Sequence, residues 1–299
     1  MKINYSKDVK DALVDERPVL ALESTIISHG MPYPENMEFA KRAESICRDS
    51  GVTPATIAII NGNICVGLTE KQLLSLAQDS TFKKVSKREL GIAIAESWNG
   101  ATTVSSTMHI AHQAGISVFA TGGIGGIHRG VEHSFDISQD ITALSQIPIV
   151  VVSAGAKAIL DLPKTVEMME TLGITVLGYG TEELPAFYSR KSGVIGIHSV
   201  NSPVDVVKIH LENQECELNS ATLVANPIPK DDEIPKGELD DIIEKACELA
   251  SSKNIDGKEL TPFLLKEISE QTKGESLRAN KALALNNVRL GINITKAMT

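Results

Sequence analysis

The sequence predicts an α/β protein built on a mostly parallel β-sheet that helices cover on both faces. Short apolar runs of strand character alternate with segments of helical periodicity along the whole chain. Hydrophobic residues make up 42% of the chain and aromatic residues only 4%, so we expect a large, mainly aliphatic core. Because no stretch rich in Gly, Pro or Ser divides the sequence, we predict a single domain over residues 1–299.

The individual elements follow from periodicity and from the residues that end each run. The predicted strands are residues 18–22, 56–61, 64–68, 116–120, 147–153, 174–178 and 221–225. The predicted helices are residues 4–14, 35–49, 70–78, 91–97, 108–114, 162–172, 202–212, 239–251, 264–272 and 276–294. The helix over 35–49, for example, places Ala43 and Cys47 on one face. Gly62 and Asn63 predict a hairpin turn, which makes the sheet a mixed one.

Composition argues against several classes of protein. The formal net charge of −9 disfavours a nucleic-acid backbone as the main partner, although one local basic pocket for a phosphate remains compatible with it. The first residues are charged and lack the apolar centre of a signal peptide, and no apolar run approaches the roughly 20 residues that a membrane span needs. The four cysteines lack CxxC spacing and predict reduced packing residues in a cytoplasmic protein.

The ends of two predicted strands carry the most unusual residues of the chain. One strand leads into the run 121–130, in which five of ten residues are glycine. We expect these glycines to adopt positive φ angles and to approach a ligand closely. We also expect their amides, together with His128 and Arg129, to form an anion-binding nest. The other strand leads to Lys157, whose charge is costly to desolvate unless it has a use.

Three further polar features each allow two interpretations. Glu23 directly follows a predicted strand, where it is either a turn cap or a functional carboxyl group. The basic cluster at residues 83–88 is either a solvated helix cap or a phosphate site, because Lys and Arg beside a serine hydroxyl supply charge and donors together. The small and hydroxylated residues 100–107 open a predicted helix, where hydroxyls either cap the helix or bind an anion.

Several familiar binding motifs do not fit. The GGIGG sequence resembles a dinucleotide loop only loosely and lacks an acidic ribose ligand about 20 residues further on, and no P-loop sequence occurs. His128, His133 and Asp136 do not have the spacing of a standard zinc site. Asp136 alone is more compatible with a hydrated hard cation, because Mg²⁺ or Mn²⁺ keeps most of its waters.

The remaining pattern is a strand-end lysine, a strand-end glutamate and a basic cluster, and it favours amine catalysis on a sugar phosphate. A desolvated lysine loses its proton more readily and can attack a masked aldehyde to form an imine. The pattern alone leaves other readings open, because Lys157 could equally extend its ammonium group into water.

A series of short segments resembles one known family. The segments are residues 21–25, 29–32, 54–58, 84–86, 100–107, 120–130, 135–138, 153–162, 184–187, 226–229 and 261–265. In this order and over nearly the whole chain they resemble the pseudouridine-5′-phosphate glycosidases, also called the indigoidine synthase A-like family. The resemblance implies a three-layer α/β/α sandwich with a mostly parallel mixed central sheet, and a homotrimer.

The resemblance also implies an activity and its residues. The reaction would be the reversible cleavage of pseudouridine 5′-phosphate to uracil and ribose 5-phosphate, with Lys157 as nucleophile and Glu23 as proton donor. Asp136 would bind one Mn²⁺ per subunit, with Mg²⁺ or another divalent ion as a possible substitute. The implied substrate-binding positions are Lys84, Val104, Ser138, Gln139 and Asp140, with Thr121, His128 and Asn286 as further pocket residues.

The chemistry of this substrate is consistent with these residue types. Its glycosidic bond joins two carbons, so the leaving atom has no lone pair for an acid to protonate, and the paired-carboxylate route of ordinary glycosidases fits poorly. A lysine can instead open the ribose at C1′ and form a Schiff base. Two alternatives remain: a class I-type aldolase that acts on a sugar phosphate, and a non-catalytic protein that binds one.

Overall fold

Eleven β-strands and thirteen α-helices form within residues 2–299, the part of the chain that the computed structural model describes. The strands are β1 (Ile3–Tyr5), β2 (Val19–Leu22), β3 (Thr53–Ile60), β4 (Asn63–Val66), β5 (Lys83–Val85), β6 (Gly100–Thr102), β7 (Val118–Ala120), β8 (Val150–Ser153), β9 (Thr175–Tyr179), β10 (His198–Val200) and β11 (Thr222–Ala225). The helices are α1 (Lys7–Val14), α2 (Thr25–Ser28), α3 (Glu35–Asp49), α4 (Glu70–Gln78), α5 (Leu90–Ala95), α6 (Val104–Gln113), α7 (Val131–Ser134), α8 (Gln139–Leu144), α9 (Leu162–Thr171), α10 (Pro203–Glu215), α11 (Lys236–Ser252), α12 (Gly257–Gln271) and α13 (Glu275–Met298).

All of these strands belong to one sheet. Its main path runs β1-β4-β3-β2-β7-β8-β11-β9-β10, and β6 pairs with β3 and with β5. Paired strands are parallel except where β3 meets β4 and β6. The central strands β2, β8 and β11 are buried along their whole length, which explains their continuous apolar sequences. The predicted mostly parallel mixed sheet is therefore confirmed.

Helices cover both faces of the sheet. The long C-terminal helix α13 packs on β2, β7 and β8 and contacts α3 and α10, whereas α6 packs on β2, β3 and β7 together with α8. The residues between these layers are almost all aliphatic, as the scarcity of aromatic residues predicts. This arrangement confirms the three-layer α/β/α sandwich. None of the helices within residues 2–299 combines the length and the apolar character that crossing a bilayer requires.

The longer elements agree well with the sequence predictions. Helices α3 and α4 begin and end at the predicted residues. The predicted hairpin exists, but its turn lies one residue earlier, at Asn61 and Gly62, whose φ angles of 48° and 73° are both left-handed. An Asn-Gly pair adopts this conformation readily. All four cysteines are free, and the expected packing role is wrong only for Cys216, which is exposed.

Several short elements differ from the predictions. Residues 3–5 form the edge strand β1 rather than the start of a helix, and the possible helix cap at 83–88 begins with strand β5. The small residues 100–102 form strand β6, so helix α6 begins at Val104 instead of Met108. Strands of three residues are too short to show alternation, and their pairing partners lie far away in sequence.

Helix α12 begins at Gly257, seven residues before the predicted start at Leu264. The sequence Thr261-Pro262 suggested a helix start, but Pro262 lies inside the helix, in its second turn. A proline there removes one backbone hydrogen bond, which is tolerated near a helix N-terminus more easily than in the middle. The consequence is functional, because the extra N-terminal turn of α12 contributes to the cavity described next.

Candidate active site

A cavity of about 550 Å³ opens where the central parallel strands end. Strands β2, β7 and β8 all deliver their carboxyl ends to this edge, which is where open α/β sheets bind ligands. The predicted site residues that line the cavity are Glu23, Lys84, Val104, His128, Asp136, Ser138, Gln139, Asp140 and Lys157. Two predicted pocket residues do not line it: Thr121 lies behind Glu23, and the Asn286 amide donates to the Pro227 carbonyl at 3.2 Å.

Lys157 is held in place by the glycine-rich segment opposite it. Its backbone amide donates to the Ile124 carbonyl at 3.1 Å, and its Nζ donates to the Gly123 carbonyl at 2.9 Å. Gly155, two residues earlier, has a φ angle of 82°, and a Cβ there would collide with the Pro185 carbonyl. The lysine side chain is half-buried. Its amine therefore faces the cavity from a fixed backbone.

Glu23 provides a buried carboxyl group. It is 8% exposed, and the Thr121 hydroxyl donates to its Oε1. Burial raises the pKa of Glu23, and the nearby Lys157 ammonium opposes this increase only in part. Burial also lowers the pKa of Lys84, and repulsion by Lys157 adds to that decrease. In the cavity, Glu23 thus loses its proton less readily than an ordinary carboxyl group, and Lys84 loses its proton more readily than an ordinary amine.

The glycine run differs from the prediction in two ways. Within 121–130 only Gly130 has a left-handed φ angle, so the others are not there for backbone freedom. They are there for space, because a Cβ at Gly123 would lie 2.6 Å from the Phe187 ring. Two amides of the run are also already used: Ile124 donates to the Gly155 carbonyl and Gly125 to the Asp140 carboxylate, at 3.1 and 2.8 Å. The predicted anion nest is therefore wrong for the Gly125 amide.

Asp140 acts as an anchor between two walls of the cavity. Its Oδ1 accepts from the Ser105 amide at 3.0 Å and its Oδ2 from the Gly125 amide at 2.8 Å. Hydrogen bonds from backbone amides to a carboxylate are among the stronger ones in proteins. Its neighbour Gln139 accepts from the Arg88 amide at 2.9 Å. The geometry therefore gives both side chains a role in positioning the wall.

The basic cluster divides into two parts. Lys83 stacks on the Trp98 ring at 3.6 Å, outside the cavity, whereas Lys84, Ser86 and Arg88 line it. Sequence reasoning missed a further cation, Lys258 of α12, which also lines the cavity. Its Nζ donates to the Lys84 carbonyl at 3.2 Å and pairs with the Glu89 carboxylate at 3.1 Å.

Glu89 balances the charge of this part of the wall. Burial opposes its ionisation, but hydrogen bonds from Ser86, Arg88 and Lys258 dominate and lower the pKa of Glu89 to about 2. The carboxylate therefore stays ionised at neutral pH and fixes the cations around it. A group of fixed donors and cations of this kind suits a phosphate ester.

The surroundings of Asp136 constrain the metal that could bind there. The nearest ionisable partner is His128, whose Nδ1 lies 4.0 Å from Oδ2 of Asp136. Burial lowers the pKa of His128, and Asp136 partly offsets that effect. Within residues 2–299 no group of three or more His, Cys, Asp or Glu side chains could enclose an ion. These donors fit a largely hydrated hard cation and do not fit a site built from protein ligands alone.

Two asparagines of α13 are functional candidates that sequence reasoning passed over. Asn280 lines the cavity, and its Oδ1 is buried without a hydrogen-bond partner in the described part of the chain. Asn287 is buried and donates to the carbonyls of Thr121 and Gly122, at 2.8 and 3.1 Å. Residues seven apart share one helix face, whereas the predicted Asn286 points elsewhere. The seven-residue spacing of Asn280 and Asn287 was the feature of the sequence that could have identified them.

A family described as "Indigoidine synthase A like protein" matches residues 8–297. The chain belongs to the indigoidine synthase A-like family.

Relatives in the indigoidine synthase A-like family carry an enzyme name. The pseudouridine-5′-phosphate glycosidase of Staphylococcus aureus strain MW2 is 50% identical to this chain, and the match covers 99% of this chain and 96% of the relative. The protein of the same name from Paracoccus denitrificans strain Pd 1222 is 49% identical, and the match covers 99% of this chain and 98% of the relative.

Two solved structures share the fold. An indigoidine synthase A-like protein of Thermotoga maritima has a TM-score of 0.90 at 39% identity, and the match covers 98% of this chain and 95% of that one. A prealnumycin C-glycosynthase in complex with ribulose 5-phosphate has a TM-score of 0.91 at 33% identity, and the match covers 99% and 96%.

Proposed function

We propose that this chain catalyses the reversible cleavage of pseudouridine 5′-phosphate to uracil and ribose 5-phosphate. The observation that carries the proposal is the shared cavity of Lys157 and Glu23, with the basic residues Lys84, Arg88 and Lys258 on its wall. The names of the relatives support this substrate, and the C-glycosynthase structure supports chemistry at a bond between a sugar carbon and another carbon.

The reaction needs an amine that attacks the sugar and an acid that supplies a proton. The Lys157 amine attacks C1′ of the ribose while Glu23 gives its proton to the ring oxygen, so that the C1′–O4′ bond breaks as the N–C1′ bond forms. The nitrogen next gives up the extra proton that it carries after the attack, and uracil C5 takes up a proton. The nitrogen lone pair then forms a double bond to C1′ as the C1′–C5 bond breaks. Water adds to this imine and releases ribose 5-phosphate, and the free lysine returns. Overall, the reaction consumes one water molecule and leaves the enzyme unchanged.

The direct test is uracil release from pseudouridine 5′-phosphate, followed by absorbance and chromatography. Uridine 5′-phosphate is the matched control, because its base is attached through nitrogen. Cleavage of the first substrate alone would establish the function. Aldol cleavage of a sugar phosphate without uracil production would instead support the aldolase, and binding without turnover would support the non-catalytic protein.

Asn280 should recognise the uracil ring. In pseudouridine both ring nitrogens carry hydrogen, because the ribose is attached to carbon. We propose that the Oδ1 of Asn280, which has no hydrogen-bond partner within residues 2–299, accepts from one of them. We expect Asn280→Leu to lower kcat/KM by roughly 10- to 100-fold, since a lost hydrogen bond in a buried site costs about 1–3 kcal/mol. Steady-state kinetics measure this. Asn286→Leu is the control, and equal effects of both changes would contradict the assignment.

We propose that Asp136 binds one hydrated divalent cation per subunit, with Mn²⁺ as the first candidate. Such an ion would supply positive charge next to the substrate. We expect Asp136→Asn to weaken Mn²⁺ binding by about 10-fold or more, measured by electron paramagnetic resonance of free Mn²⁺ without any substrate. His133→Ala changes an exposed histidine nearby and should leave binding unchanged. Retained Mn²⁺ affinity in the Asn variant would place the ion elsewhere.

Two further proposals rest on the family resemblance. We propose that the protein assembles as a homotrimer and acts in the cytoplasm, without nucleic-acid or membrane partners. The formal net charge of −9 and the free cysteines agree with this setting. Analytical ultracentrifugation reads the assembly directly, because three 32.1 kDa chains sediment clearly apart from one or two.

A further inference from the structure

A second, small cavity of about 20 Å³ lies against Glu23, between the sheet and the helices α3 and α13. Glu23 lines both this cavity and the large one, so its carboxyl group stands between them. The residues that line the small cavity are Leu22, Glu23, Ile26, Ile27, Phe39, Ala40, Ala43, Thr56, Ala120, Thr121, Gly122, Ala284 and Val288. The volume is enough for one water molecule.

The polar side chains around this space suit a buried water. Glu23, Thr121 and Thr56 are the lining residues with polar side chains, and the Thr121 hydroxyl is already directed at Glu23. A buried water needs two to four polar partners, which the Glu23 carboxyl and the Thr56 hydroxyl oxygen can supply across the cavity. Thr56 reaches this position because it is the β3 partner of Leu22, the residue before Glu23.

Thr56 connects the small cavity to the protein surface. Its Oγ1 donates to Oε1 of Glu44 at 2.7 Å, in the interior of the protein. Oε2 of Glu44 accepts from Arg48 at 2.8 Å, one turn further along α3. The Glu44 side chain is 8% exposed and that of Arg48 is 54% exposed. A row of polar groups therefore runs from the small cavity to the solvent side of α3, away from the large cavity.

We propose that one water in the small cavity joins Glu23 to Thr56 and Glu44, and that this row returns a proton to Glu23 while substrate occupies the large cavity. The proposal rests on the proposed function, in which both the ring oxygen and uracil C5 take up a proton in one turnover. A substrate that fills the large cavity separates the buried Glu23 from bulk water on that side.

Proton transfer along the row conserves every group. Glu44 takes a proton from bulk solvent and becomes the donor to the Thr56 hydroxyl, whose hydrogen turns from Glu44 towards the water. Thr56 then accepts the proton from Glu44 as it gives its own proton to the water. The water gives one of its protons to the Glu23 carboxylate. Glu44, Thr56 and the water each give up one proton for the one that they receive, so all three end unchanged. Only Glu23 gains a proton. No other bond forms or breaks, and no further reactant is needed.

The experiment compares Thr56→Val, which removes the hydroxyl at nearly constant shape, with Thr56→Ser, which keeps it. We expect Thr56→Val and Glu44→Gln to lower kcat by about 10-fold or more, with KM unchanged and a larger solvent deuterium isotope effect. Thr56→Ser and the exposed control Glu38→Gln should behave as wild type. Borohydride trapping of ribose 5-phosphate on Lys157 should persist in all four variants, which separates a proton defect from a damaged site.

Two results would overturn the relay. One is a Thr56→Val protein with the kcat and isotope effect of Thr56→Ser. The other is a high-resolution diffraction map of the wild-type protein that shows a dry small cavity. If wild type releases no uracil from pseudouridine 5′-phosphate, the proposed function fails and the relay fails with it. If wild type is active but Thr56→Val and Thr56→Ser have the same kcat and isotope effect, the relay alone is wrong.

Discussion

Lys157→Ala should abolish uracil release while the protein stays folded. The amine forms the covalent bond to C1′, and removal of a catalytic nucleophile costs roughly 10⁴-fold or more in kcat. The structural cost is small, because the half-buried side chain makes one hydrogen bond, to the Gly123 carbonyl. Losing that bond is worth about 1 kcal/mol. We therefore expect a melting temperature within a few degrees of wild type and no detectable turnover.

Imine trapping tests the same residue independently of uracil. Wild-type protein incubated with ribose 5-phosphate and borohydride should gain the mass of one reduced adduct, which maps to the peptide that contains Lys157. Lys157→Ala should gain none. Lys164→Ala is the matched control, because Lys164 is an exposed lysine, paired with Asp161, that does not line the cavity. Activity of Lys157→Ala near the wild-type level would eliminate the Schiff-base mechanism.

The sequence was sufficient for elements whose information is local. Helices α3 and α4 show several turns of apolar periodicity, and both lie where predicted. Buried strands such as β8 and β11 read as continuous apolar runs that stop at small residues. Glu23 and Lys157 could be selected for the same reason, since each follows such a run and a charge there needs an explanation.

Features that depend on distant parts of the chain could not be predicted. Gly123 looks like a flexible ligand loop in the sequence, yet its small size is required by Phe187, 64 residues later in the chain. Asn287 contacts the carbonyl of Thr121 across 166 residues, and Lys258 contacts that of Lys84 across 174. Such contacts exist only once the sheet has brought its carboxyl ends together and α12 and α13 have packed over them.

Glu23→Gln should lower kcat by about 10²- to 10⁴-fold, because it removes the general acid and keeps the shape of the side chain. Burial raises the pKa of Glu23, so in the wild-type protein we expect activity to fall as pH rises through that raised pKa and the proton is lost. The residual activity of Glu23→Gln should not show this fall at high pH. A pH–rate profile measures both. Glu96→Gln, at an exposed position, is the control and should keep the wild-type profile.

The same shift in pKa predicts how stability changes with pH. Between the unfolded and the raised folded pKa, native Glu23 holds a proton that the unfolded chain has released, so unfolding releases a proton and the free energy of unfolding falls as pH rises. This contribution is complete below the unfolded pKa and lost as pH passes through the folded value. Gln carries no such proton. The melting temperature of Glu23→Gln relative to wild type should therefore increase with pH, and a constant difference would show that burial does not hold Glu23 neutral.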